Sequence, residues 1–459
     1  MNSVADRVAP LAGEAPRTLA EAPPRTLGLA DQVALWGNLG ITLTIPVAAA
    51  FVLQPSSQLP PMTLAAAVTA VVLGTAIGSL VLALSAVPGA ETGAPAMVLL
   101  RGLLGRRGSW APTVLNIAQC VGWAAVEVVI IADGAARLFP SVPRAAFVVG
   151  AGAIATLLAL RPLGFVQELR RYAVWLVLAA TAYLFFEVLR RGVVTPAHGS
   201  WQAFWLSFDV VVALPISWAP LAADYARHSR RPRDAFGGAL AGFGLASAAY
   251  FLLGVLAVTA IPEAGADPIG ALLALPAGAL ALAILVLDEI DEAFANLYST
   301  ALSAQNLRPA LDRRAVAVGV GVVATTLGLV VDISQYQNFL YLIGSVFIPL
   351  FAVLLVDYYL RRRRSWNAGP LAPSRPIMLV PWSLGFVAYQ LLNPGTVPGW
   401  SDLWARLQAA IGLIPPNWLS ASLTSFAVAA VATLLVGPRA DRGKAGGVRN
   451  TPAPSPHLR

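Results

Sequence analysis

The sequence predicts an all-α polytopic membrane protein with about twelve transmembrane helices. Three observations carry that prediction. Hydrophobic residues make up 57% of the 459 residues and charged residues only 12%, where a soluble domain carries about 25%. The apolar residues fall in windows of about 20, the length that spans a bilayer core. Arginines collect in alternate short loops, which is the orientation signal of a membrane protein. The net charge of +8 is spread over those loops rather than along one stripe, so it argues against a nucleic-acid partner.

The apolar windows are 33–53, 62–86, 111–138, 145–161, 172–190, 203–225, 235–261, 277–303, 313–331, 335–360, 377–393 and 417–437. With the N-terminus cytoplasmic, the inside loops hold Arg101, Arg106 and Arg107, then Arg161, Arg170 and Arg171, Arg227 to Arg233, Arg308 to Arg314, and Arg361 to Arg364. The outside loops hold far fewer, and PEAGAD after the seventh window is acidic. This places the protein in a cell (inner) membrane with both termini cytoplasmic. Residues 1–30 are Ala/Pro/Arg-rich without an apolar core and read as an unstructured cytoplasmic segment, not a signal peptide. Residues 438–459 read as a disordered tail. Cys120 is the single cysteine, so no disulfide forms within the chain. His198, His228 and His457 are expected at the surface.

The first span, VALWGNLGITLTIPVAAAF, makes a poor continuous helix because of Gly37, Asn38, Gly40, Thr42 and Pro46. The sixth, FWLSFDVVVALPISWAPLAADYARH, is interrupted by Pro215, Ser217 and Pro220 and carries Asp209. If helices 1–5 (31–190) and 6–10 (200–362) are two repeats, these are the opening helices of each. A matched pair of broken helices points to a transporter's central site, where opened backbone can meet an ion or a polar solute. Helices 11–12 (375–437) follow as an addition.

In the third span Trp123 and Glu127 are four apart and share a helix face. A ring beside an acid suits a flat ligand with N–H donors. Asp133 and Arg137, also four apart, read as an ion pair. The eighth span, ALAILVLDEIDEAFANLYSTAL, holds Asp288, Glu289, Asp291 and Glu292 within five residues. Four acids at the centre of a lipid-embedded helix cost on the order of 10 kcal/mol, so they mark a pathway for an ion, a proton or a substrate. At 100° per residue, Asp288, Glu289, Glu292, Asn296 and Ser299 fall on an arc of about 100°, with Asp291 some 60° outside. Like charges so close cannot all ionise cheaply, so a proton or a bound cation is expected among them.

These same segments resemble the nucleobase–cation symporter family of purine, cytosine, allantoin and hydantoin permeases. The resemblance runs from about 33 to 365. It rests on WGNLGI, PGAETGAPAMVLLRGLLGRRG, the Gly122–Trp123 pair, ALPISWAPLAADYARHSRRP, ANLYSTALSAQNL and FLYLIGSVFIPLFAVLLVDYYLRRR. PISWAPLAADYAR is similar to the hydroxymethylpyrimidine and cytosine permease branch. The resemblance implies a LeuT-type five-plus-five inverted repeat, two further helices and alternating access. It also implies a substrate ring held between Trp123 and Trp218, with Ser217, Glu127 and Asn296 around it. Asn38 and Thr42 of the broken first helix join that substrate set. Gly40, Asp209 and the four acids of span 8 are the expected coupling residues. Ile290 and Asp291 stand where sodium-coupled relatives place hydroxyls. That favours a proton, or a sodium ion held near Asp291 by carboxylate.

The expected function is cation-coupled symport, with proton or sodium, of a nucleobase-like heterocycle such as cytosine or hydroxymethylpyrimidine. The expected partners are that solute, the ion and the lipid bilayer, with no cofactor; the oligomeric state is left open, and a monomer is compatible with the reading. One alternative is a same-fold transporter of another small solute: a purine, an allantoin or hydantoin, a thiamine precursor or an amino acid. A remote alternative reads DEIDE as the magnesium–diphosphate motif of an intramembrane prenyltransferase. That chemistry needs a second acidic cluster, and neither Asp209 nor Asp224 has one around it.

Overall fold

The computed structural model describes residues 14–56, 59–192, 198–261, 267–330 and 336–436. Each apolar window holds helix. Span 1 is split into α1 (Leu29–Asn38) and α2 (Thr44–Leu53); span 6 into α9 (Phe204–Ser217) and α10 (Ala219–Ala226). Between them lie α3 (Leu64–Thr92), α5 (Trp110–Leu138), α6 (Arg144–Leu160) and α8 (Val174–Leu189). Short helices α4 (Ala96–Leu104) and α7 (Pro162–Glu168) connect these. Span 7 runs from α11 (Pro232–Gly237) through a π-helical turn, Gly238–Phe243, into α12 (Gly244–Ala260). After α13 (Pro268–Leu273), span 8 also divides, into α14 (Gly278–Asp288) and α15 (Ile290–Leu307). Then come α16 (Arg313–Val330), α17 (Tyr336–Leu355), α18 (Leu379–Leu392), α19 (Trp400–Ala410) and α20 (Ala421–Val436). Among the described residues six helical runs are at least 18 residues long and apolar enough to cross a membrane.

α3 lies along α9 and α10, and α1 and α2 lie against the π turn and α12. α5 packs on α15 and α16, and α6 packs on the same two helices. Small residues make the close approaches. A Cβ on Gly74 of α3 would sit 2.7 Å from Val211 of α9, and one on Gly242 would sit 2.7 Å from the Val33 carbonyl of α1. Each belongs to a Gly-x-x-x-Gly pair, 74/78 and 238/242, which lets two helices meet at backbone distance. Span 6 is 94% buried over its apolar window and α16 only 28%. Helix 6 is therefore central and α16 peripheral.

Residues 14–28 were expected to be unstructured, and they are not. They form a strap across the arginine-rich end of the bundle. Glu14 accepts from the Leu163 and Gly164 N–H groups at 3.0 and 3.1 Å, serving the unpaired donors at the start of α7. The Arg17 carbonyl accepts from Arg313 N and Gln305 Nε2. Leu27 and Ser229 pair as a single β-bridge.

The strap also corrects the histidine prediction: His228 is buried rather than at the surface. Its Nδ1–H donates to the Pro24 carbonyl at 3.0 Å, so Nε2 is left to accept from the Tyr298 hydroxyl at 3.1 Å. Burial, helped by neighbouring Arg227, lowers its pKa to about 3. His198 is exposed as expected. His457 and the 438–459 tail lie outside the described residues.

Candidate substrate and ion site

α5, α9–α10 and α15 meet around a small enclosed space. It is lined by Trp123 and Glu127 from α5, by Leu214, Ser217, Trp218 and Leu221 from helix 6, and by Glu292 and Asn296 from α15, with Thr44 from α2. Five residues expected at the substrate, Trp123, Glu127, Ser217, Trp218 and Asn296, are therefore brought together, with Glu292 among them. Three residues that line it, Thr44, Leu214 and Leu221, were not expected. A fourth unexpected residue, Gln119, lies one turn before Trp123, and its amide donates to the Ser217 carbonyl at 3.3 Å. This ties α5 to the break in helix 6. The space is about 10 Å³, room for a water molecule and not for a heterocycle. Trp123 rests edge-on against Phe339 with centroids 5.4 Å apart, and Trp218 rests on Trp36 at 6.4 Å. A ring enters only if these contacts open.

The acids divide into two groups, not the single stripe that the helical arc predicts. Glu127, Glu289 and Glu292 bring carboxylate oxygens within 4.8 Å of one another, close enough to hold an ion. Glu289 also reaches the broken first helix. It accepts from the Thr42 hydroxyl at 2.5 Å and the Leu43 N–H at 2.9 Å. Thr42 in turn shares a hydrogen bond with the Thr44 hydroxyl at 2.9 Å. Glu289 is itself the turn residue that separates α14 from α15, a third interrupted helix with no Gly or Pro to announce it.

The other group is Asp288 and Asp291. Both accept from Asn38 Nδ2, at 2.6 and 2.9 Å. Asn38 and Thr42 thus hold acids and do not line the ring space. Asp291 is not among the three converging carboxylates, which are the glutamates.

Both oxygens of Glu127, and one each of Glu292, Asp288 and Asp291, are buried without a hydrogen-bond partner. Among the described residues no lysine, arginine or histidine pairs with any of the five acids. Two carboxylates facing each other offer acceptors only, so a proton or a cation is what completes the glutamate group.

Two further expectations are corrected. Asp209 takes no part in the site. Its carboxylate accepts from Ser420 Oγ and from the Ala421 and Ser422 N–H groups, capping α20. Asp133 and Arg137 do not pair with each other: Asp133 meets Arg144 and Arg137 meets Asp267. Gly40 lies in the helix 1 break, where a Cβ would sit 2.9 Å from Ala246. Its role there is close packing against helix 7.

Residues 25–376 match the family described as permeases for cytosine/purines, uracil, thiamine and allantoin. The chain belongs to that family. It is a membrane transporter, not an enzyme. A Bacillus subtilis protein provisionally named purine-cytosine permease YxlA is 26% identical over 65% of the chain and 70% of its own length. The cytosine permease of Escherichia coli K12 is 28% identical over 68% of the chain and 74% of its own length.

Two solved structures share the fold. One is Mhp1, a nucleobase-cation-symport-1 family transporter, in a closed conformation with bromovinylhydantoin bound. It has a TM-score of 0.70 and 18% identity, over 93% of this chain and 94% of that one. The other is a Na⁺-coupled sialic acid symporter in a substrate-bound outward-open state. It has a TM-score of 0.59 and 12% identity, over 92% and 93% of the two chains. The permease therefore has the architecture of cation-coupled symporters, with helices 1, 6 and 8 interrupted near the middle.

Proposed function

We propose that this permease carries an aminopyrimidine such as cytosine or hydroxymethylpyrimidine together with a proton, by alternating access of two inverted five-helix repeats. In this reading twelve helices span a cell membrane with both termini cytoplasmic. Trp123 and Trp218 clasp the ring. Glu127 and Glu292 accept its N–H donors, and Asn296 supplies the complementary amide. The carrying observation is that the unpartnered carboxylates of the ring space are the same ones that reach helix 1 through Glu289.

Coupling follows from that shared identity. With no proton or cation among them, Glu127, Glu289 and Glu292 repel one another, and Glu289 is drawn off Thr42 and Leu43. With a proton among them, the three close together and helix 1 is held to helix 8. An acceptor-rich pocket then faces the ring. Ile290 and Asp291 in place of hydroxyls support a proton over sodium.

The test is a binding panel on purified protein, followed by tryptophan fluorescence. Cytosine, hydroxymethylpyrimidine, uracil, hypoxanthine, allantoin and hydantoin form the panel. Aminopyrimidines should quench, and Trp123→Ala or Trp218→Ala should abolish the response in protein that still folds. Failure of the whole panel sinks the substrate class; a response that requires sodium and ignores pH sinks the proton.

A further inference from the structure

Asp288 and Asp291 also line a second cavity, of about 310 Å³, bounded by α6, α7, α8 and the residues on both sides of the α14–α15 turn. Small-molecule sites begin at about this size. Its other walls are hydrocarbon and aromatic, among them Leu158, Phe165, Leu176 and Ile284. Leu176 is 57% exposed and Leu287 69%, so the mouth opens on the apolar outer surface of the bundle, where lipid lies. At the base Asp288 Oδ2 and Asp291 Oδ1 have no partner, and the two residues are only 7% and 2% exposed. Their other oxygens take both protons of the Asn38 amide. No cationic side chain among the described residues pairs with either aspartate.

A carboxylate pair at the end of a hydrocarbon slot selects one shape of ligand. An inorganic cation would shed its water against apolar walls, at high cost. A fatty acid would be repelled by the aspartates. An alcohol would leave the charge unmatched. An ammonium on an apolar body meets both demands, with the head between the carboxylates and the body along the walls.

We propose that this cavity is a binding site for an apolar organic amine, an alkyl- or arylalkylammonium entering from the membrane, with its ammonium group held by Asp288 and Asp291. The site is separate from the tryptophan pocket and does not depend on the nucleobase reading. Its occupant takes the two oxygens that Asn38 leaves free, so it sits directly against the contact between helix 1 and helix 8.

The experiment uses the full chain in nanodiscs and follows thermal unfolding with nonylamine, nonanol or nonanoate at matched concentrations. Nonylamine should raise the melting temperature saturably, and the other two should not. Asp288→Asn and Asp291→Asn should each raise the half-saturating concentration by at least about tenfold, the loss of ~1.4 kcal/mol. Leu176→Trp, at an exposed position in the mouth, should abolish the response without changing the unliganded melting temperature. This variant decides the matter if an aspartate variant does not fold. Equal stabilisation by nonanol, which marks hydrocarbon partition alone, overturns the proposal. So does a nonylamine response unchanged in the aspartate variants.

Discussion

Buried charge is treated in opposite ways at the arginine-rich end of the bundle and at its centre. At the end, Arg313, Arg101 and Asp357 are buried and have their partners within the chain. Arg313 donates to the Pro16, Ala159 and Leu160 carbonyls, and Arg101 donates twice to Asn306. Asp357 takes a two-pronged contact from Arg375 at 2.5 and 3.0 Å. At the centre, Glu127 and Glu292 face acceptors and no cation. Charges satisfied by the chain hold the fold. Charges left unsatisfied destabilise it, and they make sense only if something from outside completes them.

The contrast can be broken by substitution. The largest effect is expected at the end. Asp357→Ala strands the Arg375 guanidinium, whose side chain is 10% exposed, and should cost about 3–5 kcal/mol in thermal unfolding. An equal loss from Glu127→Ala would erase the distinction. Next comes Thr42→Val, which removes the hydroxyl bonded to Glu289 and Thr44. It should cost about 1–3 kcal/mol and weaken ligand binding along with stability.

His228 has a smaller effect with a defined pH window. Its pKa is about 3 when folded against about 6.5 unfolded, so the unfolded state binds the extra proton between those values. Stability is therefore full above pH 6.5 and is lost as pH falls below it, by about 2 kcal/mol at pH 5. His228→Asn should flatten that slope, and a variant with the wild-type slope would place the effect elsewhere. Smallest is Glu127→Gln. Removing a charge that lacks a partner should leave the melting temperature unchanged or raise it.

The sequence carried the features whose causes are local. A run of twenty apolar residues reads as a span wherever it lies. Gly and Pro betray the breaks in helices 1 and 6, and the spacing of four between Trp123 and Glu127 places them on one face. What it hid depends on distant partners. Asp209 reads as an intramembrane acid because its capping partners begin 211 residues later. Asn38 reads as a substrate contact because Asp288 lies 250 residues away. His228 reads as a loop residue because the strap that buries it looks unstructured by composition. The turn at Glu289 has no helix-breaking residue. Its side chain serves the opened backbone of helix 1, a demand set by the tertiary fold.

The central claim is that the unpartnered glutamates couple an ion to the ring. The direct measurement is accumulation of radiolabelled cytosine in proteoliposomes under an imposed inward proton gradient, comparing wild type with Glu127→Gln. The wild type should concentrate the base. The variant should still fold, and its gradient-driven accumulation should fall by at least about tenfold, the ~1.4 kcal/mol of a single charged contact. Accumulation by Glu127→Gln at the wild-type level would contradict the account.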